Sequence, residues 1–543
     1  MTPPLPLDQA DVVVVGAGPS GAVISGTLAP LGLKVVCLEQ GDWMNPTDFA
    51  GNHPEWELLV QQQWAHDPNH RRLPADYPVD VSDSDLAPVM FNAVGGSSIY
   101  YGAHWHRLLP CDFHVRTLDG VADDWPITYS DLAPYYAKAE ALTGVSGVSG
   151  DPAYPDHEDD YPLPPLPFGK VGLRAAQGAN KLGWHWWPGI NAIPSADFRN
   201  LSKCARYGVC EWGCPQSAKA SADVAWWPHA LRSGAALITG ARARRIETGP
   251  GGRATGVTWI DRAGREHFQP GKAVVMCGNG IGTPRLLLLS DSPAHPDGLA
   301  NSSGLVGKNL QLHPNSAVYG SYEEDLESWL GPTGQAIHSL EFYDTRPEHD
   351  FVRGAKLHAI AAPGPLTAIE VRRWGRSFDD LWGEPIHEAA ATHGRGIFWA
   401  ANTEDLPDER NQVTLSDHLV DGDGIPAPKV SYRVSENTRR ILAFTVDRMR
   451  ELHEASGATE VISFPLLPDQ PGHLLGTARM GHDPATSVVN SFGQAHDVDN
   501  LFIADGSIFV TTGSVNPTGT IHALALRVAE GVAAYAKKKE VPA

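Results

Sequence analysis

The stretch Asp11–Glu39, DVVVVGAGPSGAVISGTLAPLGLKVVCLE, constrains the fold more than any other part of the chain. Val12 to Val15 form a continuous apolar, β-branched run, the pattern of a strand buried on both faces. Gly16, Gly18 and Gly21 follow at once in a GxGxxG spacing. Ile24, Leu28 and Leu31 then recur at helical intervals, and Val35 to Leu38 read as a second short strand ending in an acid. Each part has a physical task. Gly16 permits a tight turn, Gly18 lets a pyrophosphate approach the backbone, and Gly21 lets helix and strand pack closely. The helix start presents free N–H groups and its positive dipole end to the anion. Glu39, about 20 residues beyond the glycines, is placed to accept hydrogen bonds from a ribose diol. A carboxylate there, with no arginine nearby, disfavours a 2′-phosphate. The stretch predicts a Rossmann-like α/β unit that binds FAD or NAD.

Bulk properties narrow the rest. A chain of 543 residues calls for about two to four domain-sized units. Forty-two Lys and Arg against 63 Asp and Glu give a net charge of −21. So anionic a surface argues against nucleic acid or an anionic membrane as partner and suits neutral or cationic small molecules. No apolar run reaches the ~20 residues of a membrane span. The opening MTPPLPLDQADVVVVG lacks a basic n-region, so the expectation is a cytoplasmic protein without a secretion signal. Cys37, Cys111, Cys204, Cys210, Cys214 and Cys277 are too few for a disulfide framework.

Between Gly41 and Asp85 the chain reads as an extended surface connection with a short helix at 55–63. FNAVGGSSIYYGAHWHRLLPCDF (91–113) places Gly95, Gly96, Ser97 and Ser98 in a second glycine-rich turn. A helix is predicted after Ser130 as N-cap, with Leu132, Tyr135, Tyr136 and Ala139 on one stripe. Trp184, Trp186 and Trp187 follow a linker at 144–167, and clustered tryptophans read first as core. Residues 236–260 carry two strand patterns, and 273–290 give a buried strand, a glycine-rich turn and a helix. From about 316 to 463, alternating segments predict antiparallel strands followed by a helix from Glu436 to Glu454. Near the C-terminus Leu501 to Ala504 is a buried strand ending at Asp505, where an acid can accept from a ribityl hydroxyl. Asn516, Pro517 and Thr518 open the last helix, with Pro517 suited to its first position.

The glycine loop, the GGSS turn, the segments 273–290 and 306–314, and the C-terminal HLLGTARMG and NPT sequences together resemble the glucose–methanol–choline (GMC) oxidoreductase family. The resemblance implies an FAD-binding domain of residues 8–315 with 465–540, and a substrate domain of residues 316–464 built on an antiparallel sheet that roofs the flavin. It also implies FAD rather than NAD. In covalently flavinylated members a histidine stands four residues past the second glycine of the GGSS turn. Here that place is Tyr100, so non-covalent FAD is expected.

His473 and Asn516 are the candidate catalysts. Alcohol oxidation removes a hydroxyl proton and a carbinol hydride, and a neutral imidazole near pH 7 is suited to take the proton. The resemblance makes flavin N5 the hydride acceptor. Asn516 would donate to the alcohol oxygen and align the C–H bond, although an asparagine there also suits a helix cap. His482, His496 and His522 are read as structural, with His522 nearest the site.

The expected reaction is oxidation of a sugar, glycoside or polyol carbinol, with the electron acceptor open between oxygen and another oxidant. A lyase of the hydroxynitrile lyase type is the competing class. A third reading, an electron-transferring subunit, rests on Cys204, Cys210 and Cys214. With Pro215 these follow the ferredoxin run except that Tyr207 replaces the second cysteine, and the expectation is that no iron is held.

Overall fold

The computed structural model describes residues 8–155, 157, 160–373 and 381–540; residues 1–7, part of the stretch read above for a signal, lie outside them. The predicted first strand, Ala10–Val15, is the centre of a seven-stranded sheet. It pairs in parallel with Val35–Glu39 on one side and with Glu266–Met276 on the other. Val12, Val13 and Val14 are fully buried there, as a strand covered on both faces requires. Ala236–Thr239 adds in parallel beyond Val35–Glu39, and Leu501–Ile503 lies in parallel beside the C-terminal half of Glu266–Met276. The two strand patterns at 236–260 thus resolve into three strands. Only Arg242–Thr248 and Ala254–Ile260 form a hairpin, which continues into Glu266–Met276 as an antiparallel meander.

A second sheet has six strands, all antiparallel. Its order is Glu460–Phe464, Asn315–Ser321, Gly396–Thr403, Ala355–Ala361, Ile337–Ser339 and Trp187–Pro188. Pleating divides the strand Ala355–Ala361 between two environments. Leu357 and Ala359 enter an apolar layer with Val318, Trp399, Ile441 and Met449. Lys356, His358 and Ile360 alternate with them and face the first sheet. Helices Gly169–Leu182 and Glu436–Ser456 cover the apolar layer. The first of these helices, strand Trp187–Pro188 and strand Asp80–Ser84 all come from the stretch assigned by sequence to the dinucleotide unit. The last pairs with Pro426–Tyr432 in a small third sheet.

Two local expectations change. The helix Tyr129–Thr143 starts two residues earlier than predicted. Thr128, not Ser130, is its N-cap, because Thr128 and Asp131 form a reciprocal capping box in which the Asp131 carboxylate accepts from the Thr128 N–H at 2.8 Å. Thr518, not Pro517, is the first residue of the last helix, and the Pro517 carbonyl accepts its first bond, from Ile521 N–H at 2.8 Å. Among the described residues, no helix is long and apolar enough to cross a membrane.

Candidate active site

A cavity of about 440 Å³ runs from the carboxyl ends of the first sheet to the underside of the second. Gly16, Gly18, Glu39, Gly96, Ser97, Ser98, Asp505, Pro517 and Thr518 line it, together with His473 and Asn516. Gly21 and Gly95 stand outside the lining and act through packing. A Cβ on Gly21 would lie 1.9 Å from the Gly16 carbonyl, and one on Gly95 would meet Asp223 at 3.0 Å. Gly16 has φ +103° and a Cβ there would strike the Cys277 carbonyl at 2.5 Å.

The cradle fits FAD. The helix Pro19–Leu28 begins at Gly18 with no side-chain cap, so its first N–H groups are left for an anion. The two glycine loops meet backbone to backbone, a Cβ on Gly96 falling 2.9 Å from the Gly18 Cα. Glu39 accepts from Ala17 N–H and Gly41 N–H, one bond per oxygen at 2.8 Å, which leaves each oxygen a lone pair for a ribose hydroxyl. Burial raises its carboxyl to about 7. Asp505 differs. Its oxygens accept from Ser507 N–H, Ser507 Oγ, Asn279 N–H and Thr283 Oγ1, so the carboxylate braces the turn instead of standing free for a ribityl hydroxyl. Ser98 also braces, donating to Gly95 O at 2.5 Å and accepting from Ala222 N–H at 2.9 Å. Tyr100 lines the cavity and packs on Phe91, with ring centroids 4.2 Å apart.

The predicted catalysts converge although 43 residues apart in sequence. Asn516 Nδ2 lies 3.4 Å from His473 Nε2. His473 Nδ1 lies 2.9 Å from His313 Nδ1, and His313 Nε2 bonds the Gly513 carbonyl. These contacts set the protons. A carbonyl only accepts, so His313 Nε2 carries hydrogen and its Nδ1 is bare. His473 Nδ1 must then donate, which leaves His473 Nε2 bare toward Asn516 and the cavity. Burial pushes His313 down to about 4, and burial with the neighbouring His313 and Lys356 holds His473 well below the ordinary imidazole range. His473 is thus neutral over a wider range than the expected titration near pH 7.

Asn516 does not cap the helix. Its Oδ1 accepts from Lys356 Nζ at 2.5 Å, Asn402 Nδ2 at 2.8 Å and His104 Nδ1 at 3.2 Å. Lys356 and Asn402 are opposite one another on adjacent roof strands. Lys356 is fully buried, its other bond is to Gln335 Oε1 at 3.2 Å, and burial drives its amine well below the usual lysine range. Sequence reading missed His313, Lys356, Asn402 and the role of His104. His522, read as structural, packs at a tilt against Trp105 with ring centroids 4.7 Å apart and lies outside the cavity lining. Trp184 and Trp186 pack at the margin of the second core.

Two family models, both described as GMC oxidoreductase, match residues 173–315 and 407–525. The 2-methyl-1,2-propanediol dehydrogenase of Mycolicibacterium austroafricanum is 41% identical over 535 residues, which span 96% of this chain and 95% of that one. The chain belongs to the GMC oxidoreductase family. This GMC protein is also 32% identical to the 6'''-hydroxyparomomycin C oxidase of Streptomyces lividus, over 97% and 91% of the two chains. A formate oxidase variant from Aspergillus oryzae shares its fold, with TM-score 0.65, 16% identity and coverage of 98% and 100%. As a GMC oxidoreductase it is an FAD-dependent enzyme acting on CH–OH groups. Its six cysteines are free thiols, and among the described residues no group of three or more His, Cys, Asp or Glu side chains is placed to hold a metal ion.

Proposed function

We propose that this GMC oxidoreductase oxidises a carbinol of a polyol or sugar to the carbonyl, with His473 as proton acceptor and Asn516 as the donor that orients the substrate oxygen. One observation carries the reading: the hydrogen-bond chain from Gly513 through His313 leaves His473 Nε2 bare, 3.4 Å from Asn516 Nδ2 at the cavity wall. A substrate hydroxyl set between the two would accept from the amide while giving its proton to the imidazole. FAD, when bound, supplies the two-electron oxidation by accepting hydride at N5. Lys356, Asn402 and His104 keep the amide oxygen turned away, so the NH₂ group is the one presented.

Relatives named as dehydrogenases and oxidases of a diol and an aminoglycoside support oxidation over a lyase reaction. Tyr100 at the attachment position supports non-covalent FAD. Gly16, Gly18, Gly21, Glu39, Gly95, Gly96, Ser97, Ser98, Asp505, Pro517 and Thr518 form or brace its cradle. Residues 8–315 with 465–540 would chiefly bind the cofactor and residues 316–464 chiefly roof it, with helix Gly169–Leu182 and strand Trp187–Pro188 of the first part joining the roof. Six unpaired thiols favour a reducing compartment, and we place the protein in the cytoplasm. The test is an anaerobic screen of diols, polyols, sugars and simple alcohols for loss of flavin absorbance, with acid precipitation to release the flavin. Bleaching by a polyol and FAD in the supernatant are expected. Flavin held in the pellet overturns the non-covalent assignment, and no bleaching by any alcohol overturns the oxidation.

A further inference from the structure

Glu211 is a cavity carboxylate that the chemistry above does not use. It lies on the short turn Cys210–Trp212, and it lines the same cavity as His473 and Asn516. The turn is pinned on three sides. The Glu211 carbonyl accepts from His66 Nε2 at 2.8 Å, Cys210 N–H donates to Thr333 Oγ1 at 3.2 Å, and Trp212 packs on Trp56 at 4.6 Å. Yet among the described residues no hydrogen bond or ion pair reaches the carboxylate itself. Lys219, the nearby cation, is spent on the carbonyls of Ile99, Cys210 and Tyr101, at 2.6, 2.7 and 3.1 Å. A carboxylate held in place without a partner is costly, and burial raises it to about 7.

Its place relative to the catalysts is fixed by Gly102. A Cβ on Gly102 would stand 3.0 Å from Glu211 Oε1 and 3.3 Å from His104 Nε2. His104 is bonded through its other nitrogen to Asn516. The carboxylate therefore faces cavity space one side chain away from the catalytic amide, and the missing side chain at residue 102 keeps that space open. We propose that Glu211 is a substrate-recognition residue that accepts a hydrogen bond from a second hydroxyl of the substrate, selecting diols and polyols over simple alcohols. The inference rests on the alcohol-oxidation reading. The Lys219 ammonium stands nearby without bonding the carboxylate, and a second cation would be set against it, so a neutral hydroxyl meets the carboxylate's need for a donor better.

The test uses the FAD-loaded protein and two ligands without a carbinol hydrogen, pinacol and tert-butanol, titrated by perturbation of the flavin spectrum. Wild type should bind the diol more tightly than the mono-alcohol, and Glu211→Gln should close that gap by about tenfold, the worth of a hydrogen bond to a charged group. Gly102→Ala, which puts a methyl between Glu211 and His104, should act in the same direction and covers the case of a Glu211 variant that fails to fold. Equal weakening of both ligands, or loss of FAD with the gap intact, overturns the assignment. Tighter binding of 1-amino-2-methyl-2-propanol, which also lacks a carbinol hydrogen, than of pinacol, abolished in Glu211→Gln, makes the site a cation subsite and overturns it too. Because these diol and mono-alcohol titrations need no turnover, their outcome is separate from that of the oxidation itself, which is read by bleaching with ethylene glycol and sugars.

Discussion

His473 and His313 meet through their Nδ1 atoms, 2.9 Å apart, and the contact decides which nitrogen of His473 is free to take a proton. His473→Ala should slow anaerobic flavin reduction by ~10²–10⁴-fold, the usual worth of a positioned base, while FAD content stays near wild type. His313→Ala keeps the base but frees its tautomer, and a loss of about 10–100-fold is expected. Stopped-flow reduction at saturating substrate measures both, and a wild-type rate in His473→Ala sinks the mechanism.

The pH profile follows from the direction of the His473 shift. Burial and the neighbouring His313 and Lys356 depress its pKa, so the bare, active form persists below the ordinary value of about 6.5. The limiting reduction rate should be flat through neutral pH and fall only on the acid side of that value. A clear rise in rate between pH 6 and pH 8, roughly the range of an unperturbed imidazole, would contradict the buried setting of the base.

Lys356 acts through Asn516. Lys356→Met removes the 2.5 Å bond to Oδ1 and leaves Asn402 and His104 to hold the amide. Reduction should slow by about 10–100-fold. The double variant with Asn516→Ala should be no slower than Asn516→Ala alone, because the two residues form one unit. Additive losses would mean that Lys356 works elsewhere.

Asn516→Asp should cost more than Asn516→Ala. One carboxylate oxygen would remain at Lys356 and the other would face His473 Nε2, where only a protonated imidazole can donate to it. An adjacent anion raises the imidazole pKa, so the acid limb of the rate profile should move to higher pH. An unmoved limb in the pH dependence of reduction would argue against the present amide orientation.

Gly21 and Gly18 should separate folding from cofactor affinity. At Gly21 a methyl overlaps the Gly16 carbonyl at 1.9 Å, so Gly21→Ala should be markedly destabilised and purify without yellow colour. At Gly18 the nearest atom to a new Cβ is 3.9 Å away, so Gly18→Ala should fold with a wild-type melting temperature. Its methyl intrudes only where the pyrophosphate passes, and weaker FAD binding by titration is expected.

What the sequence disclosed depended on how local the signal was. The strand, glycine turn, helix and second strand at 11–39 were legible because their pattern is complete within one βαβ unit, even though the strands also pair with Glu266–Met276 and Ala236–Thr239. His473 and Asn516 could be singled out because their surroundings, HLLGTARMG and NPT, are short motifs, and the structure brings them within 3.4 Å of each other at the cavity. Lys356 and Asn402 were not. Each is a single polar residue in an alternating strand, and only the register that sets them side by side, over an asparagine more than 100 residues away, gives them a task. Glu211 was hidden in a loop whose cysteines drew attention to metal chemistry. Asp505 was noticed for its acid, but nothing local revealed that four donors of the chain itself would claim it.

The pleat of the roof strand Ala355–Ala361 separates what can change from what cannot. His358, Ile360 and, on the next strand, Ala400 line the cavity, while Leu357, Ala359 and Trp399 hold the main apolar layer; His358 also packs edge-on against His104 with ring centroids 4.8 Å apart, and Ala400 packs against Ala317, Tyr319 and Phe464. Of the three cavity residues, Ile360 is the position where a side chain of different size or polarity would reshape the chamber while leaving the apolar layers and the His104 contact in place. Lys356 and Asn402, at the same end of the paired strands, have no such latitude, since both hold the amide oxygen of Asn516. A single sheet thus sets a tunable wall at Ile360 beside a fixed clamp on Asn516.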